Sequence, residues 1–283
     1  MAALSPLAAR TLVMLSGLAL IDEAVEKYNP VGVFGLFSGG HDSLCATHLA
    51  SQHPLFLHAV HINTGIGIEQ TREFVRDTCK QQSWRLREYR AQECGAETYE
   101  EMVLAHGFPG PFAHRMMYTM LKERALRQLV RDFKVGDCPL LLVSGARSQE
   151  STRRMGTTEP IQKDGRCLWV AAIHDWAKDD CNKYIADKGL DRNEVVDLIH
   201  KSGECLCGAF AKRGELAELA MWFPEEARRI AELRDRVWDR FPWGWEDRPP
   251  KWWMDKKRGQ QHLFDMASLH PRQLCWSCDK GGK

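Results

Sequence analysis

The apolar positions of this chain fall in short unbroken runs separated by stretches with helical spacing. Val31-Gly32-Val33-Phe34-Gly35-Leu36-Phe37 and Leu55-Phe56-Leu57-His58-Ala59-Val60-His61-Ile62 are apolar almost throughout, the pattern of strands covered on both faces of a parallel sheet. Residues 84–89 alternate weakly and are predicted as a third strand. Residues 139–144 form the clearest later strand, and 167–173 another. Helices are expected over residues 6–28, over 69–82 with Phe74, Val75 and Cys79 on one face, and over 112–133, which carries Met116, Met120, Leu121, Ala125 and Leu129. Strand and helix signals in alternation imply an α/β fold, a doubly wound and mostly parallel sheet. After about residue 175 the pattern turns helical, at 216–222 and 225–241, before a tryptophan- and proline-rich loop over 242–253. The expected division is an α/β domain over residues 1–175, including the first helix, and a mainly helical region over 176–283.

Charge adds little. The formal net charge of +1 on 283 residues gives no global field pointing to a nucleic-acid or membrane partner. The apolar run over 11–21 is too short to span a bilayer. It continues into Asp22-Glu23-Ala24-Val25-Glu26-Lys27 without a cleavage site, so a packed helix and a cytoplasmic protein are expected. In that compartment ten cysteines point to metal or redox chemistry rather than disulfides.

The chemistry concentrates at Ser38-Gly39-Gly40-His41-Asp42-Ser43, between the first strand and Leu44-Cys45-Ala46-Thr47-His48-Leu49-Ala50. Two glycines let the backbone approach an anion closely, and two serine hydroxyls add donors. The helix that follows aims unpaired N–H groups and its positive dipole end at the same point. A loop of this kind holds phosphate. It lacks the lysine of the G-x-x-x-x-G-K-[ST] loop. A second cluster, Gly145-Ala146-Arg147-Ser148-Gln149-Glu150-Ser151-Thr152-Arg153-Arg154, offers arginines and hydroxyls at another strand end. Ser38, Asn63 and Arg147 all lie at predicted carboxyl ends, where open sheets collect ligands.

These segments together resemble the phosphoadenosine phosphosulfate (PAPS) reductase and ATP pyrophosphatase superfamily. The loop at 38–43 matches its S-G-G-x-D-S. Asn63-Thr64-Gly65 is similar to its D-T-G, with asparagine for aspartate. Gly145 to Arg154 resembles its G-x-R-x-x-x-S-x-R, and Ile173-His174-Asp175-Trp176 its strand-ending D-W. The resemblance spans roughly residues 30 to 210 and implies an adenine nucleotide alpha hydrolase-like fold. It implies ATP or PAPS bound by Ser38, Gly39, Gly40, His41, Asp42, Ser43, Asn63, Thr64, Gly65, Arg147, Ser151 and Arg154. Asp42 and Arg147 are the residues expected to serve catalysis, Asp42 either by positioning Mg2+ or merely by capping the helix. Two departures count: the E-C-G-[LI]-H segment of the assimilatory reductases has no counterpart here, and the loop keeps the complete form of true ATP pyrophosphatases. The resemblance therefore favours adenylation of an acceptor with release of pyrophosphate, followed by sulfur transfer, as in nucleic-acid thiolation or phosphorothioation. A sulfonucleotide (PAPS or APS) reductase releasing sulfite is the alternative. A non-catalytic nucleotide-binding partner subunit with structural zinc is a third reading.

Cys205, Cys207, Cys275 and Cys278 are two close pairs able to supply four thiolates. The family context favours a four-iron four-sulfur cluster, with zinc as the alternative and Cys181 as a substitute ligand. Cys45, Cys79, Cys138 and Cys167 read as core. The implied partner is a sulfur donor such as a cysteine desulfurase, or a thioredoxin-like reductant. Lys251-Trp252-Trp253-Met254-Asp255-Lys256-Lys257-Arg258 mixes cations with aromatics, as single-strand binders do, or else packs its tryptophans on the core. Of His41, His61, His114 and His174, none is assigned a catalytic role.

Overall fold

The structure, a computed structural model, describes residues 6–149 and 159–258. Its strands are β1 Val33–Leu36, β2 Phe56–Asn63, β3 Leu86–Arg90, β4 Leu140–Val143, β5 Ile161–Asp164 and β6 Cys167–Val170. They form one sheet in the order β3-β2-β1-β4-β6-β5. Every pairing is parallel except the edge hairpin of β5 with β6. The chain leaves β1 toward β2 on one side and returns as β4 on the other, so the order reverses at β1, where ligands gather in such sheets.

Helix α1 Pro6–Tyr28 lies against α2 His41–Ala50, β4 and β6. Ile21 and Ala24 of α1 share a core with Val33, Leu141, Val143, Leu168 and Val170. Helix α3 Glu69–Gln81 follows β2 and turns Val75 and Cys79 into that same core. Strand β4 is buried along its length, and its side chains alternate: Leu141 and Val143 face the α1 side, Leu140 and Leu142 the other. That opposite side is covered by α6 Arg124–Asp132, through Ala125, Leu126 and Leu129.

The predicted helix over 112–133 forms, but in pieces. Helix α5 His114–Tyr118 runs into a π-helical turn, Thr119–Glu123, and then into α6. Met117 and Leu121, on the early part, pack not on the sheet but in a separate helical core. That core holds α4 Tyr99–His106, α8 Glu194–Ile199, α9 Glu215–Trp222 and α10 Pro224–Val237, together with Phe241, Trp243 and Trp245. Helix α10 begins with Pro224 and two glutamates in its first turn and has Arg234 and Arg236 in its last, the charge order its dipole favours. Helix α7 Lys178–Asp187 instead joins the sheet core through Cys181, Tyr184 and Ile185.

Three elements go beyond the sequence pattern. Helix α4 is too short and too mixed for a periodic signal, yet Thr98 and Glu101 form a full capping box at its start. Strand β5 was hidden by its polar composition, Ile-Gln-Lys-Asp, although Asp164-Gly165 is a hairpin signal and Gly165 has a φ of 56°. The expected loop over 242–253 ends in α11 Lys251–Arg258. Among the described residues no helix is long and apolar enough to cross a membrane.

Candidate functional site

At the carboxyl end of β1 the chain makes the expected loop. Gly39 has a φ of 79°, a conformation that costs glycine nothing. The Ser38 N–H and hydroxyl both donate to Ser43 Oγ at 3.2 Å, and the Ser43 hydroxyl donates to the Gly40 carbonyl at 2.8 Å. Gly40 caps α2 without a side-chain bond, which leaves the first-turn amides for a ligand. Asn193 Nδ2 braces the loop from outside by donating to the Gly39 carbonyl at 2.8 Å.

Arg147 arrives from the end of β4. Its Nε donates to Asp42 Oδ2 at 2.8 Å, with the arginine side chain only 9% exposed. The two residues expected to serve catalysis are thus partners, and Asp42 does not cap α2. Beyond Arg147, the Ser148 N–H and hydroxyl both donate to the His174 carbonyl, at 2.8 and 3.0 Å. This ties the arginine segment to the Asp175-Trp176 corner. His41 is buried, with Nδ1 at 3.3 Å from Arg192 Nη2. Burial and the Arg192 charge lower its pKa, so the imidazole is neutral at pH 7.

The end of β2 is held differently. Asn63 Nδ2 donates to Glu88 Oε1 at 2.7 Å, while its Oδ1 accepts from the Gly65 N–H at 2.9 Å. Glu88 also takes two bonds from Arg76, each 3.0 Å. Burial alone would raise the Glu88 pKa, but the bonds from Arg76 and Asn63 hold it down to about 2. This explains asparagine in place of aspartate at 63: an aspartate would face an ionised Glu88 carboxylate with no proton to share. Asn63 and Thr64 are fully committed to protein partners, and Gly65 is the exposed member of the trio.

Glu204, which the sequence reading did not single out, lies beneath this end, 2% exposed. Its Oε1 accepts from the Thr64 N–H at 2.8 Å, and its carbonyl accepts from the Thr64 hydroxyl at 2.5 Å. Its Oε2 lies 3.2 Å from His61 Nε2 and 3.6 Å from Arg72 Nε. His61 Nδ1 in turn is 2.8 Å from the Phe37 carbonyl, directly before the loop.

Cys205 and Cys207 follow Glu204. Cys207 is buried and Cys205 half-buried. The hydrogen bond from Cys207 and the charge of Lys122, on the π-helical turn, draw the Cys205 thiol down to about 6, whereas Cys207 is raised by the same contact and by burial. A thiolate here suits a soft metal, so the pair fits half of a four-thiolate set. Among the described residues no group of three metal-ligand side chains forms. Cys275 and Cys278, like Ser151 and Arg154, lie outside the described residues. Cys181 is remote from the pair in role: its carbonyl accepts from the buried Cys45 thiol, inside the sheet core. Trp253 packs on Trp243 at 4.6 Å between ring centroids, while Trp252 is exposed.

Between the ends of β2 and β3 and helices α4 and α10 lies a cavity of about 600 Å³. Thr64, Gly65, Arg72, Tyr99, Leu206 and Ile230 are among the residues that line it. It touches both the β2 edge and, through Leu206, the cysteine turn.

An open, doubly wound sheet with a lysine-free anion loop at its point of reversal, Arg147 crossing from β4, defines a protein of the adenine nucleotide alpha hydrolase-like class. The chain belongs to the phosphoadenosine phosphosulfate reductase domain family, whose model matches residues 32–202. No curated protein matches it. Among solved structures it is similar to a PAPS reductase from Candida auris in a phosphate complex, at 20% identity over 70% of this chain and 93% of that one, with a TM-score of 0.49. It is also similar to an FMN adenylyltransferase from Candida glabrata. With FAD and inorganic pyrophosphate bound, that structure aligns at 17% identity over 70% of this chain and 65% of that chain, TM-score 0.47. With FMN and the ATP analog AMPCPP it aligns at 16% identity with the same coverage and a TM-score of 0.48.

Proposed function

We propose that this protein is an enzyme that binds ATP with Mg2+, adenylates an acceptor with release of pyrophosphate, and supports transfer of sulfur to that acceptor. The observation that carries this reading is the complete diphosphate loop at 38–43, braced by Asn193 and backed by the Asp42–Arg147 pair. The loop amides and the hydroxyls of Ser38 and Ser43 would hold the β- and γ-phosphates, and Arg147 would balance charge on the leaving group. An acceptor oxygen attacks the α-phosphorus as the α–β bridging bond breaks, and pyrophosphate takes the electron pair. A donor sulfur then displaces AMP from the adenylated acceptor. Cys205 and Cys207, with Cys275 and Cys278, would hold a four-iron four-sulfur cluster, which supplies sulfur binding or electron relay. A cysteine desulfurase fits as donor and a nucleic acid as acceptor; both are proposals from the same reading.

The match to the PAPS reductase domain favours a second reading, reduction of a sulfonucleotide to sulfite with a thioredoxin-like reductant. Incubation with ATP or PAPS separates the two. Pyrophosphate release from ATP supports the first, and sulfite release from PAPS the second. ATP affinity unchanged by Ser38→Ala and Asp42→Ala would overturn both.

A further inference from the structure

The cysteine turn is stitched to the β2 edge more tightly than a surface loop needs. The Ile68 N–H donates to the Gly203 carbonyl at 2.9 Å, and the Thr71 hydroxyl to the Ser202 carbonyl at 2.6 Å. Gly67 lies so close that a β-carbon there would meet the Glu204 backbone at 2.5–2.8 Å. At the centre is the Glu204 carboxylate, 2% exposed, joined to Thr64 and facing His61 and Arg72. Burying an ion is costly unless its contacts are good, and an uncharged residue would fill the space more cheaply. Cys205 is the next residue, and Leu206 forms part of the cavity wall shared with Thr64 and Gly65. The site and the thiols therefore meet through one side chain.

We infer that Glu204 is a positioning residue: its buried carboxylate registers the Cys205-Leu206-Cys207 turn on the Thr64 end of β2, so that the thiols address the ligand held at that edge. The inference rests on the nucleotide reading above. Occupancy of the β2 edge and order in the cysteine turn are then coupled, and coupling between two sites is reciprocal. The carboxylate is suited to this because it accepts from the Thr64 backbone itself, the strand end that a ligand would press against.

Hydrogen exchange followed by peptide mass spectrometry on the full chain, with and without ATP and Mg2+, tests this whatever metal the protein holds. In the wild type, ATP slows exchange over residues 62–68 and, by about fivefold, over 202–208. In Glu204→Gln, slowing over 62–68 persists with ATP affinity within about twofold, while slowing over 202–208 disappears. A tie that was only structural would speed exchange over 202–208 equally with and without ATP and leave the nucleotide-dependent difference intact. That outcome overturns the inference, as does a wild-type turn indifferent to ATP bound at 62–68. Failure of ATP to protect any segment is a separate result that removes the nucleotide reading, and this inference with it. Thr64→Val, which deletes the hydroxyl bonded to Glu204 and keeps the shape, carries the same expectation should Glu204→Gln not fold.

Discussion

A methyl group added at Gly145 would sit 2.6 Å from the Asp42 carbonyl carbon and the Ser43 nitrogen. Both obstacles are backbone, so no rotamer change relieves them, and either β4 or the loop must move. Gly145→Ala should destabilise the fold by about 1–3 kcal/mol and weaken ATP binding by about tenfold. Urea denaturation and an ATP titration measure the two. Gly110, where a β-carbon meets nothing within 4 Å, is the control: Gly110→Ala should leave both unchanged. The loop itself was legible because its six residues act locally, on one another and on the helix they start. Glu204 was not, since its partner Thr64 is 140 positions away and a lone acid beside a cysteine carries no pattern.

Helices α2 and α7 meet through a polar contact set in an apolar seam. His48 Nδ1 lies 2.7 Å from the Tyr184 hydroxyl, to which Gln52 also donates at 3.1 Å. Burial, helped by the charge of Lys188, holds the His48 pKa down to about 4. The unfolded chain protonates this histidine near its ordinary value of about 6.5, before the folded chain does. Its contribution is therefore fully present above that value and is lost as pH falls through about 6.5 toward 4, to a ceiling of about 3 kcal/mol. His48→Asn, whose Oδ1 can accept from Tyr184, should flatten unfolding free energy against pH between about 6.5 and 4. A variant as acid-sensitive as the wild type in that window would show that another group controls it. The central strands were predictable because they are buried on both faces, whereas β5, paired on one side only, keeps a polar composition that its sequence shares with loops.

On the scale of the whole molecule, the helical core is fastened to the cysteine turn by an indole. Trp245 Nε1 donates to the Leu206 carbonyl at 2.6 Å, and Trp243 Nε1 to the Phe108 carbonyl at 2.9 Å. Trp245→Phe leaves the Leu206 carbonyl buried without a donor, at a cost of about 1–3 kcal/mol. Thermal melts should show the loss, and hydrogen exchange should place it over residues 202–208 rather than the sheet. The tryptophan-rich segment gave away its composition in the sequence but not its use, because only the assembled core shows which indoles are walled in and which, like Trp252, face water. The π-helical turn at Thr119–Glu123 has a bearing on the same assembly. Upstream of it Met117 belongs to one hydrophobic centre; downstream Ala125 and Leu129 belong to another. Excising a single amino acid there would tighten the spiral to ordinary pitch yet swivel the downstream half by about 100°. One centre would then lose its facing wall, so this stretch tolerates changes of side chain far better than any change of length.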